Sequence, residues 1–325
     1  ILALIDAFDP VAYAKSRNYS DGAVSRLSPY ISRGVISTRL VYERLLKRGI
    51  KFYQMEKFVQ ELAWRDFWQR QWQHHGVAIN QDLKHPQEHV RFYGLPRAIQ
   101  EADTGIDVID KAIEELYQTG YMHNHLRMYL ASIVCNVGQY HWRIPAQWMF
   151  AHLLDGDWAS NALSWQWVAG ANANKKYWAN QENINHFCHA NQGPTFLDFS
   201  YEDLPQQDVP DVLKDRVSEP LLEIDQKIDR IEENIIPQCS GELEAVCIYT
   251  PYNLDPLWRK DLMAHRILLL DPDYFNRYPT SKRVLNFILD LALENIPEIK
   301  IFIGSFDRLK KEFSNDFHVD EIYSR

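Results

Sequence analysis

The spacing of apolar positions divides the chain into a long helical part and a short part in which strands alternate with helices. Up to about residue 200, apolar residues recur every three or four positions, and no clear alternating strand is visible. Helices are predicted over 52–74, 104–120 and 121–142, with Gly120 ending the second. Later, the apolar runs at 244–252, 266–272 and 299–306 indicate strands, separated by predicted helices at 281–297 and 307–313. This alternation predicts a small α/β unit with a parallel sheet.

Charge and aromatic content support the same division. The whole chain carries a net charge of −9, but residues 1–200 sum to +1 and residues 201–325 to −10. Nine of the ten Trp and ten of the twelve His also lie before residue 200. We therefore expect a helical domain over 1–200, an acidic linker over 201–240 and a small α/β domain over 241–325. The first part is free to present a basic face to an acidic partner, although the chain as a whole is acidic.

The sequence offers no sign of a membrane or metal partner. No apolar run reaches the roughly 18 residues that a membrane span needs, and the first residues do not resemble a signal peptide. The cysteines are scattered without CxxC spacing, so we expect reduced thiols of a cytoplasmic protein, and neither zinc ligands nor disulfides: Cys135, Cys188, Cys239 and Cys247.

The start of a helix near residue 28 is a candidate anion site. Ser28 followed by Pro29 is typical of a helix start, with Ser28 as the predicted N-cap. A helix N terminus offers unpaired N–H groups to anions, so the segment before it is a candidate phosphate cradle: Val24, Ser25, Arg26, Leu27 and Ser28. The simpler interpretation is that the Ser-Pro pair only begins a helix.

The stretch from Asp155 to Gly170 has an unusual composition for a helix. It contains two carboxylates, an amide and three indoles. Asp157, Asn161 and Trp165 follow one another at intervals of four residues, so on a helix they share one face, whereas Trp167 points elsewhere. Such a run is costly to bury without partners. It therefore indicates a polar, aromatic-lined site.

The predicted helix over 52–74 carries a carboxylate among aromatic residues. Glu61, Trp64 and Trp68 share one face of it by their spacing. Glu61 is either a functional carboxylate or an exposed residue at the edge of the core, and its position alone does not decide between the two.

Four motifs of the chain, taken in order, resemble the helical FAD-binding domain of the DNA photolyase/cryptochrome family. They are SRLSPYISRG, ELAWRDFW, GYMHNHLRM and DGDWASNALSWQWVAG. The resemblance implies a mainly α fold that holds FAD in a folded shape at the bottom of a cavity. It implies FAD-binding roles for Tyr13, for the cradle Val24–Ser28, for the carboxylates Asp155 and Asp157 with Gly156 between them, and for Arg127, paired with Asp155. Asn161 resembles the amide that faces flavin N5.

The resemblance also implies a path for electrons. Trp165 resembles the inner tryptophan of the family's photoreduction chain, and Trp142 the middle one. Without the resemblance, Trp142 would be interpreted as a core aromatic residue. The outer tryptophan has no counterpart, since His89, Phe92 and Tyr93 occupy that region. We therefore expect photoreduction to end on a tyrosine or to leave through Trp68 or Trp72.

The substrate cavity of the cyclobutane pyrimidine dimer photolyases has matching residues here: Glu61, Trp64, Asn124, Met128 and Trp167. A flipped-out dimer needs aromatic walls and a few polar groups for the base edges. Met128 and Asn161 favour dimer repair over the patterns of (6-4) photolyases and plant cryptochromes. Lys175, Lys176 and Arg143 either contact DNA phosphates or are solvated charges.

The expected function is that of a deoxyribodipyrimidine photolyase, a lyase that acts on DNA containing pyrimidine dimers. The alternatives are a cryptochrome-like blue-light photoreceptor, with the acidic C-terminal part as a surface for a protein partner, and a flavin-binding module with neither activity. The motifs begin near the first residue of the sequence, so we expect neither the family's N-terminal antenna domain nor its chromophore.

Overall fold

A computed structural model describes residues 1–223 and 245–314. Its helices are α1 (Leu2–Ala7), α2 (Pro10–Ser16), α3 (Ser28–Ser32), α4 (Thr38–Lys47), α5 (Phe52–His75), α6 (Arg97–Gln100), α7 (Asp107–Thr119), α8 (Asn124–Ser132), α9 (Arg143–His152), α10 (Trp158–Ala169), α11 (Gln181–Cys188), α12 (Pro272–Arg277), α13 (Lys282–Asn295) and α14 (Phe306–Ser314). Its strands are β1 (Leu95–Pro96), β2 (Arg216–Val217), β3 (Ala245–Tyr249), β4 (Ala264–Leu270) and β5 (Lys300–Ile303). The mainly α fold class is confirmed.

Most predicted helices lie where periodicity placed them. The helix α5 matches its predicted range almost to the residue, and α7 ends at Gly120, whose φ of +73° suits glycine. Two details of the sequence-based helix prediction are wrong. Leu27, without a side-chain cap, precedes α3, so Ser28 is the first helical residue and not the N-cap. The predicted helix over 121–142 is too long: α8 is followed by one π-helical turn, Ile133–Val137, which ends at Gly138.

The helices α9 and α10 run antiparallel in the centre of the larger hydrophobic core. The rings of Phe150 and Trp158 lie 5.6 Å apart, and Asn161 Nδ2 donates to the Ala146 carbonyl oxygen at 2.7 Å. Moving one further turn along each helix brings Trp165 level with Trp142. Both indoles are almost completely buried in this core.

The C-terminal strands form the expected parallel sheet, in the order β3-β4-β5. Ala245 pairs with Ala264 between the first two strands, and Ile267 pairs with Lys300 between the second and third. The antiparallel pair β1-β2 was not predicted from the sequence, because strands of two residues leave no alternating pattern.

The α/β unit shares a hydrophobic core with the first helices of the chain. Ile5, Leu27 and Met55 pack in one cluster with Cys247 and Leu268 of the sheet. Gly34, with φ +71°, approaches this unit so closely that a Cβ would lie 2.3 Å from the Tyr252 carbonyl oxygen. The predicted boundaries at 200 and 240 remain predictions, and residues 224–244 lie outside the described residues.

Within the described ranges, no helix is both long and apolar enough to cross a bilayer. The thiols of Cys135, Cys188 and Cys247 are free, while Cys239 lies outside those ranges. A search of the same residues finds no group of three or more His, Cys, Asp or Glu placed to hold a metal ion.

Candidate functional site

Asp157 caps α10 and joins it to α5. Its Oδ1 accepts a hydrogen bond from the Ser160 N–H at 2.8 Å. Its Oδ2 accepts one from the Gln69 side-chain amide and lies 3.5 Å from Arg65 Nη2. Only 5% of Asp157 is exposed, so these partners compensate for the burial of its charge. The start of α10 is thus fixed by two side chains of α5.

Arg127 of α8 pairs with the other carboxylate, that of Asp155. Its Nη2 lies 3.0 Å from Oδ2 and 3.1 Å from Oδ1, and its Nε donates to the Met122 carbonyl oxygen at 2.8 Å. From α3, the Ser32 hydroxyl donates to the Asp155 carbonyl oxygen at 2.9 Å. The expected contact between Arg127 and Asp155 is therefore present, and it brings α3, α8 and the start of α10 to one place.

Gly156, between the two carboxylates, forms a tight turn. A Cβ there would lie 3.0 Å from the Leu153 carbonyl oxygen and 3.1 Å from that of Phe150. Its N–H already donates to the Leu153 oxygen at 3.0 Å. The tight turn alone explains why a glycine stands at position 156. The predicted contact of Gly156 with the cofactor stays a prediction.

One strip of α10 is accessible, whereas the rest of the helix is packed. Ser160 and Asn161 are half-buried, Ser164 and Trp167 are exposed, and Trp165 on the packed side is 2% exposed. The Nδ2 of Asn161 is occupied by the Ala146 carbonyl oxygen. Among the described residues, nothing donates to its Oδ1. An amide oxygen is therefore available as an acceptor on the open side of α10.

The predicted cradle, Val24–Ser28, is an irregular segment between α2 and α3. Arg26 has a φ of +51°, and its guanidinium lies 4.6 Å above the ring of Tyr121. Among the described residues, the backbone N–H groups of Val24, Ser25 and Arg26 have no acceptor. Successive N–H groups of this kind suit an anion.

Tyr13 lies beside α5 rather than in the open. Its ring packs edge-on against Phe58, with the centroids 5.3 Å apart. Burial, together with the nearby Glu61 carboxylate, raises the pKa of the Tyr13 phenol well above its ordinary value. The phenol is therefore protonated at neutral pH and can donate a hydrogen bond.

Five residues expected at the substrate opening lie on three helices. On α5, Trp64 is 52% exposed and stacks on Trp68 with centroids 5.4 Å apart. On α10, Trp167 is 41% exposed and lies 5.7 Å from Tyr177. Asn124, exposed, and Met128, half-buried, follow one another on α8. The two indoles belong to separate aromatic groups, and their predicted role as walls of the substrate opening stays a prediction.

Glu61 completes this set on α5. Burial of its carboxyl raises its pKa, and the charge of Arg17, with Nε 3.9 Å from Glu61 Oε1, partly opposes the shift. Its side chain is still 46% exposed and can be reached by a ligand.

Residues 58–196 match the family model of the FAD binding domain of DNA photolyase. The chain contains a photolyase-type FAD-binding domain. This match includes most of α5 and all of α8, α9 and α10, but not the cradle, which precedes it in the chain.

Curated relatives of this photolyase-type domain are named deoxyribodipyrimidine photo-lyase. The chain is 30% identical to that of Alkalihalophilus pseudofirmus over 167 residues, which are 48% of this chain and 34% of the relative. It is 36% identical to that of Thermus thermophilus over 168 residues, 49% of this chain and 38% of the relative. The chain thus spans little more than a third of the length of these relatives.

A solved structure, a bacterial class III photolyase from Agrobacterium tumefaciens, resembles the same part of the chain. The TM-score is 0.50 at 28% identity, over 57% of this chain and 40% of that protein. The family model, which describes an FAD binding domain, gives FAD as the cofactor of the photolyase-type domain.

The donor set of this chain fits that cofactor. Three buried polar atoms on α5, α8 and α10 have no partner among the described residues: Arg65 Nε, Ser160 Oγ and Nε2 of His123, the N-cap of α8. Their helices meet at Asp155 and Asp157. Buried polar groups without partners are rare and call for an explanation, and a ligand rich in acceptors provides one. With the N–H groups of the cradle, they match a dinucleotide carrying phosphates and ring oxygens.

Sequence reasoning missed two side chains of the photolyase-type domain. Gln69 holds Asp157, and Asp82 accepts a 2.7 Å hydrogen bond from Nε1 of the fully buried Trp142. Asp82 lies in a polar segment that the sequence marks only as a loop. For Asp82 the sequence carries no signal. For Gln69 the one available signal is its spacing of four residues from Arg65, which places both side chains on the same face of α5.

Proposed function

We propose that this chain catalyses the light-driven repair of cyclobutane pyrimidine dimers in DNA. The observation that carries the proposal is the exposure of Trp64 and Trp167 on α5 and α10, the two helices joined at Asp157. Exposed indoles beside a flavin domain supply the aromatic walls on which an extruded pair of bases stacks. Names of curated relatives support this substrate, and the chain's own residues support the geometry.

In this proposal, three groups of residues hold the cofactor. The N–H groups of Val24, Ser25 and Arg26 in the cradle bind its diphosphate, and Tyr13 donates to the same region. The guanidinium of Arg127, oriented by Asp155, places positive charge beside the isoalloxazine. The free Oδ1 of Asn161 would accept a hydrogen bond from a flavin N5 that carries a proton.

FAD, when bound, reduced and excited by light, supplies one electron to the dimer and receives it back after the ring has opened. The protein contributes position and electrostatics. Trp64 and Trp167 stack the bases, while Asn124 and Glu61 hydrogen-bond their edges. Met128 fills the remaining apolar contact. Trp165 and Trp142 would supply the electrons for reduction of a bound flavin.

Illumination of the chemically reduced protein with dimer-containing oligothymidylate tests the proposal. We expect thymines to be restored in blue light and not in the dark. Glu61→Ala should slow repair and leave the FAD content unchanged, whereas Glu56→Ala, at an exposed position on the same helix, should do neither. Because chemical reduction bypasses Trp142 and Trp165, the result does not depend on the electron path.

Protein with its full complement of FAD that restores no thymine would overturn the proposal. In that case, light-driven spectral changes without repair would favour the cryptochrome-like photoreceptor. A protein partner for the acidic C-terminal part remains a prediction.

A further inference from the structure

A stack of aromatic rings leads from the core of the helical domain to solvent. Trp142 is completely buried, and the ring of His141 lies 5.7 Å from it. The ring of Tyr93 stacks on His141, with centroids 5.5 Å apart and planes 20° from parallel. Tyr93 is 61% exposed. An oxidisable phenol is thus connected to a buried indole through one intervening imidazole.

The inner end of the stack reaches the site on α10. The antiparallel packing of α9 and α10 brings Trp165 level with Trp142, and Trp165 follows Asn161 by one turn. Ring contacts therefore run from Trp142 through His141 to Tyr93 at the surface. Trp165 lies in the same buried cluster as Trp142, on the side of the predicted flavin position.

A carboxylate lies where an oxidised Trp142 would release its proton. Asp82 Oδ1 accepts the 2.7 Å bond from Trp142 Nε1 and lies 3.4 Å from His141 Nε2. His141 Nδ1 accepts from the Arg143 N–H at 3.3 Å, which assigns the ring proton to Nε2, facing Asp82. Burial lowers the pKa of His141, so its ring is neutral at neutral pH and places no positive charge in the path.

Other aromatic exits lead elsewhere. Trp68 contacts Trp64 and Phe67 of α5, and Trp72 contacts Tyr278. Neither of these groups joins Trp142 through a ring contact among the described residues. Of the exits considered from the sequence, the tyrosine is the one that stacks toward Trp142.

We propose that Tyr93 is the terminal electron donor of the photoreduction chain, with His141 as the bridge and Asp82 as the proton acceptor of Trp142. The inference rests on the flavin chemistry of the proposed function, since excited oxidised FAD is the one-electron oxidant.

Trp142 passes one electron inward through Trp165 and its indole proton to Asp82. Tyr93 then passes one electron to Trp142 and its phenol proton to water, while Asp82 returns the indole proton. In total, one electron and one proton have left Tyr93, and the proton has passed to water. An added thiol then reduces the tyrosyl radical back to tyrosine.

Flash photolysis and electron paramagnetic resonance of the FAD-loaded protein test the assignment. We expect a tyrosyl radical after the flash, and its loss in Tyr93→Phe, which keeps the ring and removes the phenol. Tyr53→Phe, at a tyrosine 70% exposed on α5, should keep the signal. In Asp82→Asn, the Trp142 radical should remain in its protonated form, because an amide accepts the hydrogen bond but not the proton.

A tyrosyl signal that persists in Tyr93→Phe would overturn the assignment, as would a wild-type protein whose flash yields only tryptophan radicals. The repair assay separates the two proposals. Chemically reduced Tyr93→Phe should repair dimers at the wild-type rate, since the chain is bypassed. A tyrosyl radical in a protein that repairs nothing would support this inference and contradict the proposed function.

Discussion

Arg127 contacts both carboxylate oxygens of Asp155 through one guanidinium nitrogen, at 3.0 and 3.1 Å. The side chains are 20% and 8% exposed, so the pair is largely removed from water. A buried pair is weak support for stability in itself, but removing one partner leaves an uncompensated charge. The pair therefore has two effects: it stabilises the start of α10, and it holds a positive charge beside the proposed flavin.

Arg127→Leu should destabilise the protein by about 3–5 kcal/mol, because Asp155 stays buried without its partner. Urea unfolding measures this loss. Arg143→Leu, at an exposed arginine, is the matched control and should have little effect. The double variant Arg127→Leu with Asp155→Leu should recover most of the stability without recovering flavin affinity. An unchanged free energy of unfolding in Arg127→Leu would show that Asp155 does not need Arg127 to compensate for the burial of its charge.

Asn161→Asp should change which reduced flavin forms accumulate in light. A carboxylate cannot donate to the Ala146 carbonyl oxygen, now 2.7 Å from Nδ2, and it places negative charge on the accessible strip of α10. Absorption spectra during illumination measure the effect, with Asn18→Asp, at an exposed asparagine, as the control. If the spectra of Asn161→Asp match those of the wild type, Asn161 does not face N5.

Two histidines should make the fold sensitive to acid. Burial lowers the pKa of His123 and of His152 to about 4, from an ordinary value of 6.5. Between these two values the unfolded chain binds protons that the folded protein excludes, so stability falls as the pH drops from 6.5 toward 4. Each histidine contributes a loss of up to about 3 kcal/mol.

Urea unfolding followed across this pH window checks the effect. His152→Phe, which keeps an aromatic ring beside Tyr117 and Trp148, should reduce the pH dependence, whereas His74→Phe, at an exposed position, should leave it unchanged. Equal pH dependence in all three proteins would show that His152 is protonated in the folded state.

Local pattern predicted the fold well where a helix has one apolar face. The helix α7 has such a face and ends at Gly120, as predicted. The limits of α5 also match the prediction, although its apolar residues are spread around the helix. The π-helical turn after α8 was missed because Ile133–Val137 is buried throughout, so its pattern does not differ from that of a continuing helix. Packing of the α/β unit on α3 depends on contacts such as that of Gly34 with Tyr252, which are distant in sequence and leave no local signal.

The site was predictable to the extent that family motifs carry it. Nothing in the spacing of Arg127 and Asp155 indicates that they pair, and only the resemblance did. Gln69 and Asp82 were missed because a single polar residue on a helix or in a loop is normally solvated. Their importance follows from partners that only the folded chain brings together.

Every proposed role depends on a flavin bound against α10, so the decisive measurement is the flavin content of the purified protein. The measurement is an absorption spectrum followed by denaturation and identification of the released flavin. We expect one FAD per chain and a loss of flavin in Arg127→Leu. A colourless protein that takes up no FAD when refolded in its presence would show that no flavin binds against α10.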